Sequence, residues 1–320
     1  MVQLVRVGAL KSPHIAANDP TLYITTAGYT CNLCGDTGAR PVVMQGFSSF
    51  TGYIDYQGYS YTSFSAPSVT TSPGSINMRS AAITTIDMSS LTTNGGVFDF
   101  YACPLTSVNF SALTGTGAHL YLSGAYGTGS AGLSGGVSFP ALTSIVGGAL
   151  VFSRRYQLTS FSAPNLVTLS NELELDYCKA LTSLSLPALT TINYNAGNGW
   201  LILGGDPPDL GQSRPNALSS VSLPALTTIL GKISCTYCVN VTSINPSSWT
   251  TIGNGFGLDF NRCDLTQANM DAILAKLVAI RGGVTSGSVD LRYQNGGQTP
   301  SVAGQANAAT LVAAGITVSY

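Results

Sequence analysis

The chain has 320 residues, thirteen basic and fourteen acidic, for a net charge of −1. Only 8% of it is charged, against about a quarter of an ordinary soluble domain, and Gly, Ser and Thr fill the gap. No basic cluster exists to neutralise phosphates, which argues against a nucleic-acid partner, and no run approaches the ~20 apolar residues of a membrane span.

The opening, "MVQLVRVGALKSPHIAANDP", lacks the apolar core of a secretion signal, so export by the usual route is not expected. Residues 1–50 do not fit the pattern that follows. They include "TLYITTAGYTCNLCGDTGARPVV", which reads as strand, turn and strand, and the segment is expected to be an N-terminal cap or attachment segment.

From residue 51 the chain repeats. Short strand cores with large, mostly apolar outer residues recur at Ile54-Asp-Tyr56, Ile76-Asn-Met78, Phe98-Asp-Phe100 and Leu120-Tyr-Leu122, spaced by 22 residues each time. The series continues at Leu150, Leu173, Leu201, Ile233 and Leu258, at intervals of 30, 23, 28, 32 and 25. Each core leads into a turn and then a phrase such as "LTSLSLPALTTI" (181–192). Alternation places Leu, Ile and Val inward and Ser and Thr outward, and Pro at 67, 140, 164, 187 and 224 marks a bend. A length near 22 with occasional insertions is one coil of a solenoid, whose inner residues are buried only by neighbouring coils. Residues 51–264 are therefore expected to stack nine strand cores in one parallel sheet.

Two coils carry long insertions after the strand core, "SGAYGTGSAGLSGG" (123–136) and "GGDPPDLGQSRPNA" (204–217). Leaving at the same corner, they should emerge on one edge, a usual place for binding in repeat proteins. Tyr126 of the first and Asp206, Asp209 and Arg214 of the second are candidate ligand-binding residues. The middle residues of the cores should line one sheet face, which adds Asp99, Tyr121 and Glu174. Glu172, Glu174 and Asp176 alternate along one strand and point the same way. Tyr53, Tyr56, Tyr59, Tyr61, Tyr101, Tyr156 and Tyr177 fall on or beside the cores, where a flat ring with one hydroxyl suits sugars and proteins alike, or simple packing.

Residues 265–320 differ again. Thr266 can cap a helix with Met270, Ile273, Leu274, Leu277 and Val278 on one stripe, stopped by Gly282-Gly283. A strand follows at 287–293, then a helix opened by Pro300-Ser301 and ended by Gly315, then a strand at 316–320. This α/β segment is expected to cap the open end of the solenoid.

Of seven cysteines, Cys103, Cys178, Cys238 and Cys263 each precede a repeat's Leu or Val by two or three residues. A recurring position argues for a repeated structural job by buried, reduced thiols. Cys31–Cys34 and Cys235–Cys238 are C-x-x-C pairs, but the first lacks a second ligand pair and the repeat accounts for the second, so no metal and no cofactor is expected.

No H-E-x-x-H, G-x-S-x-G, Walker or dinucleotide motif occurs in its proper context. With only His14 and His119 available, a Ser-His-Asp site is disfavoured. Strand-face carboxylates leave a solenoid glycoside hydrolase as an alternative, with acids on adjacent coils about 5 Å apart. An ice-binding face is discounted because the hydroxyls form no regular T-x-T array.

The coil "CKALTSLSLPALTTI" (178–192) and the stretch "CVNVTSINPSSWTTIGNGFGLDFNRC" (238–263) resemble leucine-rich repeats of the BspA-like class, a surface-protein family, though "PALTTI" makes these coils tighter. The C-terminal helix–strand–helix–strand order is similar to the tail of many phage-encoded repeat proteins. Together these resemblances imply a mainly β, leucine-rich-repeat-like parallel solenoid of coils about 22–25 residues long. They also imply a non-enzymatic, tail- or capsid-associated phage virion protein. Its expected partners are other virion proteins and a host-surface glycan or protein, with a homo-oligomer open. The alternative location is the bacterial cell surface, as an adhesin.

Overall fold

The computed structural model describes residues 22–24, 28, 30–32, 39–125, 132–194, 199–204 and 217–320. It is a parallel β-solenoid with a small α/β cap. Twelve strands form the longest sheet, from Thr30–Asn32 at one end to Thr317–Ser319 at the other. All nine strand cores expected from the sequence lie in it, in chain order. Their inner residues are in register from coil to coil, with Ile54 opposite Ile76, Phe98 opposite Leu120, and Leu150 opposite Leu173. Each is at most 1% exposed. A buried Leu contributes about 2 kcal/mol, and here the coils above and below supply the burial. The pairing also begins before residue 51: Leu22–Ile24, Thr30–Asn32 and Pro41–Met44 all join solenoid sheets, so part of the expected cap segment is itself coil.

Each coil adds two further short strands. The "LTS" phrase forms a second face, and the "TTI" phrase an eight-stranded third sheet. The second face is broken into a five-stranded and a three-stranded sheet, with the break between Ser107–Asn109 and Gly136–Ser138. It ends at Ser183–Ser185, beyond which Val221 makes only an isolated bridge to Ile244. Both interruptions fall where an insertion intervenes between the first and second strands, so both insertions leave the same corner. Between the third and first strands the coils approach so closely that a Cβ on Gly96 would collide with the Gly74 carbonyl.

The hydroxyls that replace charge have structural partners. Thr92 donates to the Thr70 carbonyl (2.8 Å), Thr114 to Thr92 (3.0 Å) and Thr143 to Thr114 (3.0 Å), one coil after another. Thr84, Thr106 and Thr182 do the same on the neighbouring corner. These threonines run side-chain ladders parallel to the backbone ladder, which is why the phrase keeps Thr at fixed places.

At the turn after seven of the first strands the chain takes one non-glycine residue with positive φ, at Ser80, Ala102, Arg154, Tyr177, Tyr237, Arg262 and Tyr293, and Gly58 does the same one coil earlier. This conformation costs an ordinary residue about 1–2 kcal/mol. It is offset because it turns the N–H toward the next coil: Tyr177 reaches the Gly204 carbonyl and Arg262 that of Arg292. The larger side chains stack as well, Arg262 lying 5.1 Å from both the Tyr237 and Tyr293 rings.

Helix α1 (Gln267–Ile280) is capped by Thr266, whose side chain accepts from the Asn269 N–H, and buries Met270, Ile273, Leu274 and Leu277 as expected. Asn269 imitates a missing strand, since its amide takes the Ile244 N–H (2.9 Å) and gives to the Ile244 carbonyl (2.8 Å). Helix α2 (Val302–Ala313) is capped by Ser301 and packs on α1. The strands Gly287–Asp290 and Thr317–Ser319 extend the long sheet instead of forming a separate one. Among the described residues no helix is long and apolar enough to cross a membrane.

Candidate functional site on the long sheet

One row on the outer face of the long sheet takes a single residue from each coil. Register aligns Asp55, Asn77, Asp99, Tyr121, Val151, Glu174, Ile202, Ser234, Asp259 and Asp290 in a single row. Three of the expected site residues, Asp99, Tyr121 and Glu174, therefore share a row. Tyr126, Asp206, Asp209 and Arg214 lie outside the described residues.

Most acids of this row have a local task. The Asp99 Oδ1 accepts the Tyr101 N–H (2.8 Å), and the same two-residue turn bond is made by Asp55 to Gln57 (3.2 Å), Asn77 to Arg79 (3.1 Å), Asp259 to Asn261 (3.3 Å) and Asp290 to Arg292 (3.0 Å). A short side-chain oxygen is what this turn needs. The second oxygen of Asp99 lies 3.6 Å from the Arg79 guanidinium. Asp99 is thus occupied at the corner, which weakens its assignment as a ligand-binding residue.

From Tyr121 to Ser234 the row abandons Asp and Asn for five successive coils. Tyr, Val, Glu and Ile cannot make the turn bond, so these positions are released from it. The patch they form spans about 14 Å from Tyr121 to Ile202, at ~4.8 Å per strand. His119 stacks on Tyr121 with ring centroids 5.3 Å apart and planes 9° from parallel. The Nδ1 of His119 accepts the Ala149 N–H (3.1 Å), which fixes the ring and uses that lone pair. Across the patch, Lys232 reaches over Trp200 (5.4 Å) toward Asp259 (3.7 Å). Val151 is nearly sealed, while Tyr121, Trp200, Ile202 and Glu174 are partly exposed. The patch lies between the two corners where the insertions leave the coil, after Leu122 and after Leu203.

Three acids enter this patch along one strand and turn. Burial and the neighbouring Glu174 raise Glu172 above the ordinary carboxylate value. Ser153, one coil earlier, hydrogen-bonds Glu174 Oε1. The Asp176 carboxyl is pushed up to about 8, first by burial and then by Glu174, against weaker opposition from Ser153 and Arg154. Burial, followed by Asp99, Glu172 and Glu174, also raises the Tyr121 hydroxyl. Among the described residues no group of three His, Cys, Asp or Glu side chains is arranged to hold a metal. A shallow hollow of about 410 Å³, lined by Thr242, Asp264, Thr266 and Asn295, lies in the last coils, away from the patch.

The tyrosines divide. Tyr56 and Tyr61 are core residues at 1% and 0% exposure, and Tyr59 packs on both. Tyr101, Tyr156 and Tyr177 lie at the corner beneath Arg79, Lys179 and Arg154. Only Tyr53 and Tyr121 stand on the face itself. Sequence reading passed over Trp200, Ile202 and Ser153 as site residues. The available signal was the change of residue type in the row, from turn-forming Asp and Asn to Tyr, Val, Glu and Ile. No family model matches the chain, and neither the curated proteins nor the solved structures contain a match.

Proposed function

We propose that this solenoid is a non-enzymatic recognition protein that binds a surface glycan or protein on the patch from Tyr121 to Ile202, flanked by the two insertions. The observation that carries this reading is the five-coil interruption of the turn-forming row, where aromatic and aliphatic groups with embedded carboxylates replace residues that serve the fold. A flat apolar ring beside fixed hydrogen-bonding groups suits the faces and hydroxyls of a sugar, and also an aromatic-rich protein contact. The setting proposed for it is a phage virion, tail- or capsid-associated, where a host-surface molecule is the ligand. The resemblance of the repeats to BspA-like coils and of the tail to phage repeat proteins supports that setting.

A solenoid glycoside hydrolase is the competing reading, and the raised Asp176 carboxyl is the one observation in its favour. Against it, Glu172, Glu174 and Asp176 lie along one segment, and the Glu174 and Asp176 carboxyls are hydrogen-bonded to each other, closer than the roughly 5 Å or more that separates a catalytic pair. Asp99 is two coils from Val151 and bound to its turn. That spacing offers no facing pair across a bound sugar.

The test is attachment to host cells by the intact protein and by two variants. One lacks 204–217 and the other carries Asp206→Ala, Asp209→Ala and Arg214→Ala. Both should attach more weakly while remaining folded. Unchanged attachment would remove the loop from the site. Capsid and tail genes beside this one would support the virion setting, and their absence the bacterial adhesin.

A further inference from the structure

The carboxyls at 174 and 176 share the outer face with few donors. Ser153 has a single hydroxyl proton, which must serve both Glu174 Oε1 and Asp176. Asp176 Oδ1 is sealed from solvent and has no hydrogen-bond partner. The other charged and titratable groups facing this pair are few. On its own strand and turn there are Glu172, another carboxyl raised by burial, and the buried Cys178 thiol. From the preceding coils come Arg154, whose guanidinium lies over the Tyr177 ring (4.8 Å), and the more distant Tyr121 and Asp99. The following coil presents Trp200, Ile202 and Gly204, none of which titrates, and Lys232 beyond it is turned to Asp259. A carboxylate oxygen buried without a donor is costly, and two hydrogen-bonded carboxyls stay together only while one carries a proton.

We propose that Glu174 and Asp176 hold one proton between them and that its loss, as the medium becomes alkaline, loosens the corner at Asp176–Tyr177. The chemistry is a simple proton transfer. The shared O–H gives its proton to solvent base, leaving two carboxylates with only the Ser153 proton to serve both. The corner is the natural place for the strain to be released. Tyr177 is held there at φ 56°, and its N–H bond to the Gly204 carbonyl (2.8 Å) is the link to the next coil. Because Gly204 begins the second insertion, a loosened corner also frees the root of that loop. This latch is independent of what the patch binds.

The direction follows from linkage. A folded-state carboxyl raised from 3.8 to about 8 means that the closed corner binds more protons than the open one between those values. Its stabilising contribution is complete below the lower value and is lost as pH rises through the upper one. For one proton, the opening constant rises by up to about tenfold per pH unit inside that window.

Two measurements on the intact protein test this: carbon-detected titration of the Asp176 side-chain carboxyl, and amide exchange at Tyr177 corrected for intrinsic rate, from roughly pH 5 to pH 9. Asp176 should titrate several units above an ordinary aspartate, and the Tyr177 opening constant should climb through the same range. Glu174→Gln should move the Asp176 titration down, and Asp176→Asn should flatten the Tyr177 profile. Titration of Asp176 near the ordinary value, or a Tyr177 opening constant that stays flat in the wild-type protein, would overturn the proposal whether or not either variant folds.

Discussion

Arg155 donates its Nε–H to the carbonyl of Leu122, one coil earlier, and so takes over the task that the Cys178 thiol performs toward Phe152. Cys103 to Met78, Cys238 to Leu203 and Cys263 to Cys235 are the same contact. Gln294 makes it to Phe260 at the last coil (2.8 Å). One column inside the solenoid therefore requires a side-chain donor to the carbonyl that ends the preceding first strand, and a thiol supplies it while packing as a small apolar group. The column has an arginine immediately after the coil whose turn is replaced by the first insertion. Its longer side chain also crosses that coil, and Nη1 bonds the Cys103 carbonyl at 2.9 Å.

Arg155→Ala should be far more damaging than Cys178→Ala. The first strands two buried carbonyls, each worth about 1–3 kcal/mol, and leaves a cavity. The second loses one weak donor, at a cost of about 1 kcal/mol. Urea midpoints of the two variants measure the contrast, and equal midpoints would show that Arg155 does no more for the column than the Cys178 thiol.

The thiols should be inert in the folded protein. Burial pushes Cys103 up to about 12, and burial also raises Cys178. Thiol hydrogen bonds that Cys235 and Cys263 share with Cys238, together with burial, raise both of them. Cys103, Cys178, Cys235, Cys238 and Cys263 are all reduced and buried. An aromatic disulfide reagent near pH 8 should leave these five unmodified until denaturant is added, because the thiolate is the reacting form. Peptide mapping after labelling identifies the sites, and rapid native labelling of Cys178 would contradict the buried column.

Asp290 should contribute an acid-side loss of stability. Burial alone would raise it, but bonds from the Arg292 side chain and backbone and from Asn261 outweigh burial and hold the carboxyl below its ordinary value. A lowered carboxyl stabilises the fold above its ordinary value, and that contribution is lost as pH falls. The pair is partly exposed, so the effect is small and screened by salt. Asp290→Asn should therefore flatten the acid limb of a thermal-midpoint profile slightly, and an unchanged limb would deny the ion pair a role.

Much of the architecture could be read from the sequence because a solenoid writes its period directly. Nine large residue pairs recurring at intervals of 22 to 32 residues located nine of the twelve strands of the long sheet, and Thr266, Ser301 and the Gly315 stop located both helices. The face was readable as a row but its division of labour was not. Asp99 and Glu174 look alike as acids, yet only the shorter one reaches the backbone N–H two residues on, and that depends on turn geometry. Arg155 was hidden for a related reason. "FSRRYQL" matches "LDYCKAL" in position, but no composition rule equates guanidinium with thiol. The task of the threonine rows was also not legible: Thr92 and Thr114 are bound to carbonyls one coil below them, which only the stacked structure shows.

Asp99→Asn should be nearly silent for stability, within about 0.5 kcal/mol, because Asn77 already makes the same turn bond in the preceding coil. Asp99→Ala should cost about 1 kcal/mol by removing the acceptor for the Tyr101 N–H. Chemical denaturation of the two variants separates the turn role from a charge role. Equal destabilisation by Asn and Ala would mean that the carboxylate charge, not the acceptor, matters at this position.

The most direct test of the patch is binding of the labelled protein to an array of bacterial surface polysaccharides and surface proteins, comparing wild type, Tyr121→Ala with Trp200→Ala, and Asp99→Asn. The wild type should bind, the double variant should bind at least about tenfold more weakly, as truncated aromatic contacts do, and Asp99→Asn should match the wild type. A double variant that binds as tightly as the wild type would contradict recognition by the face between Tyr121 and Ile202.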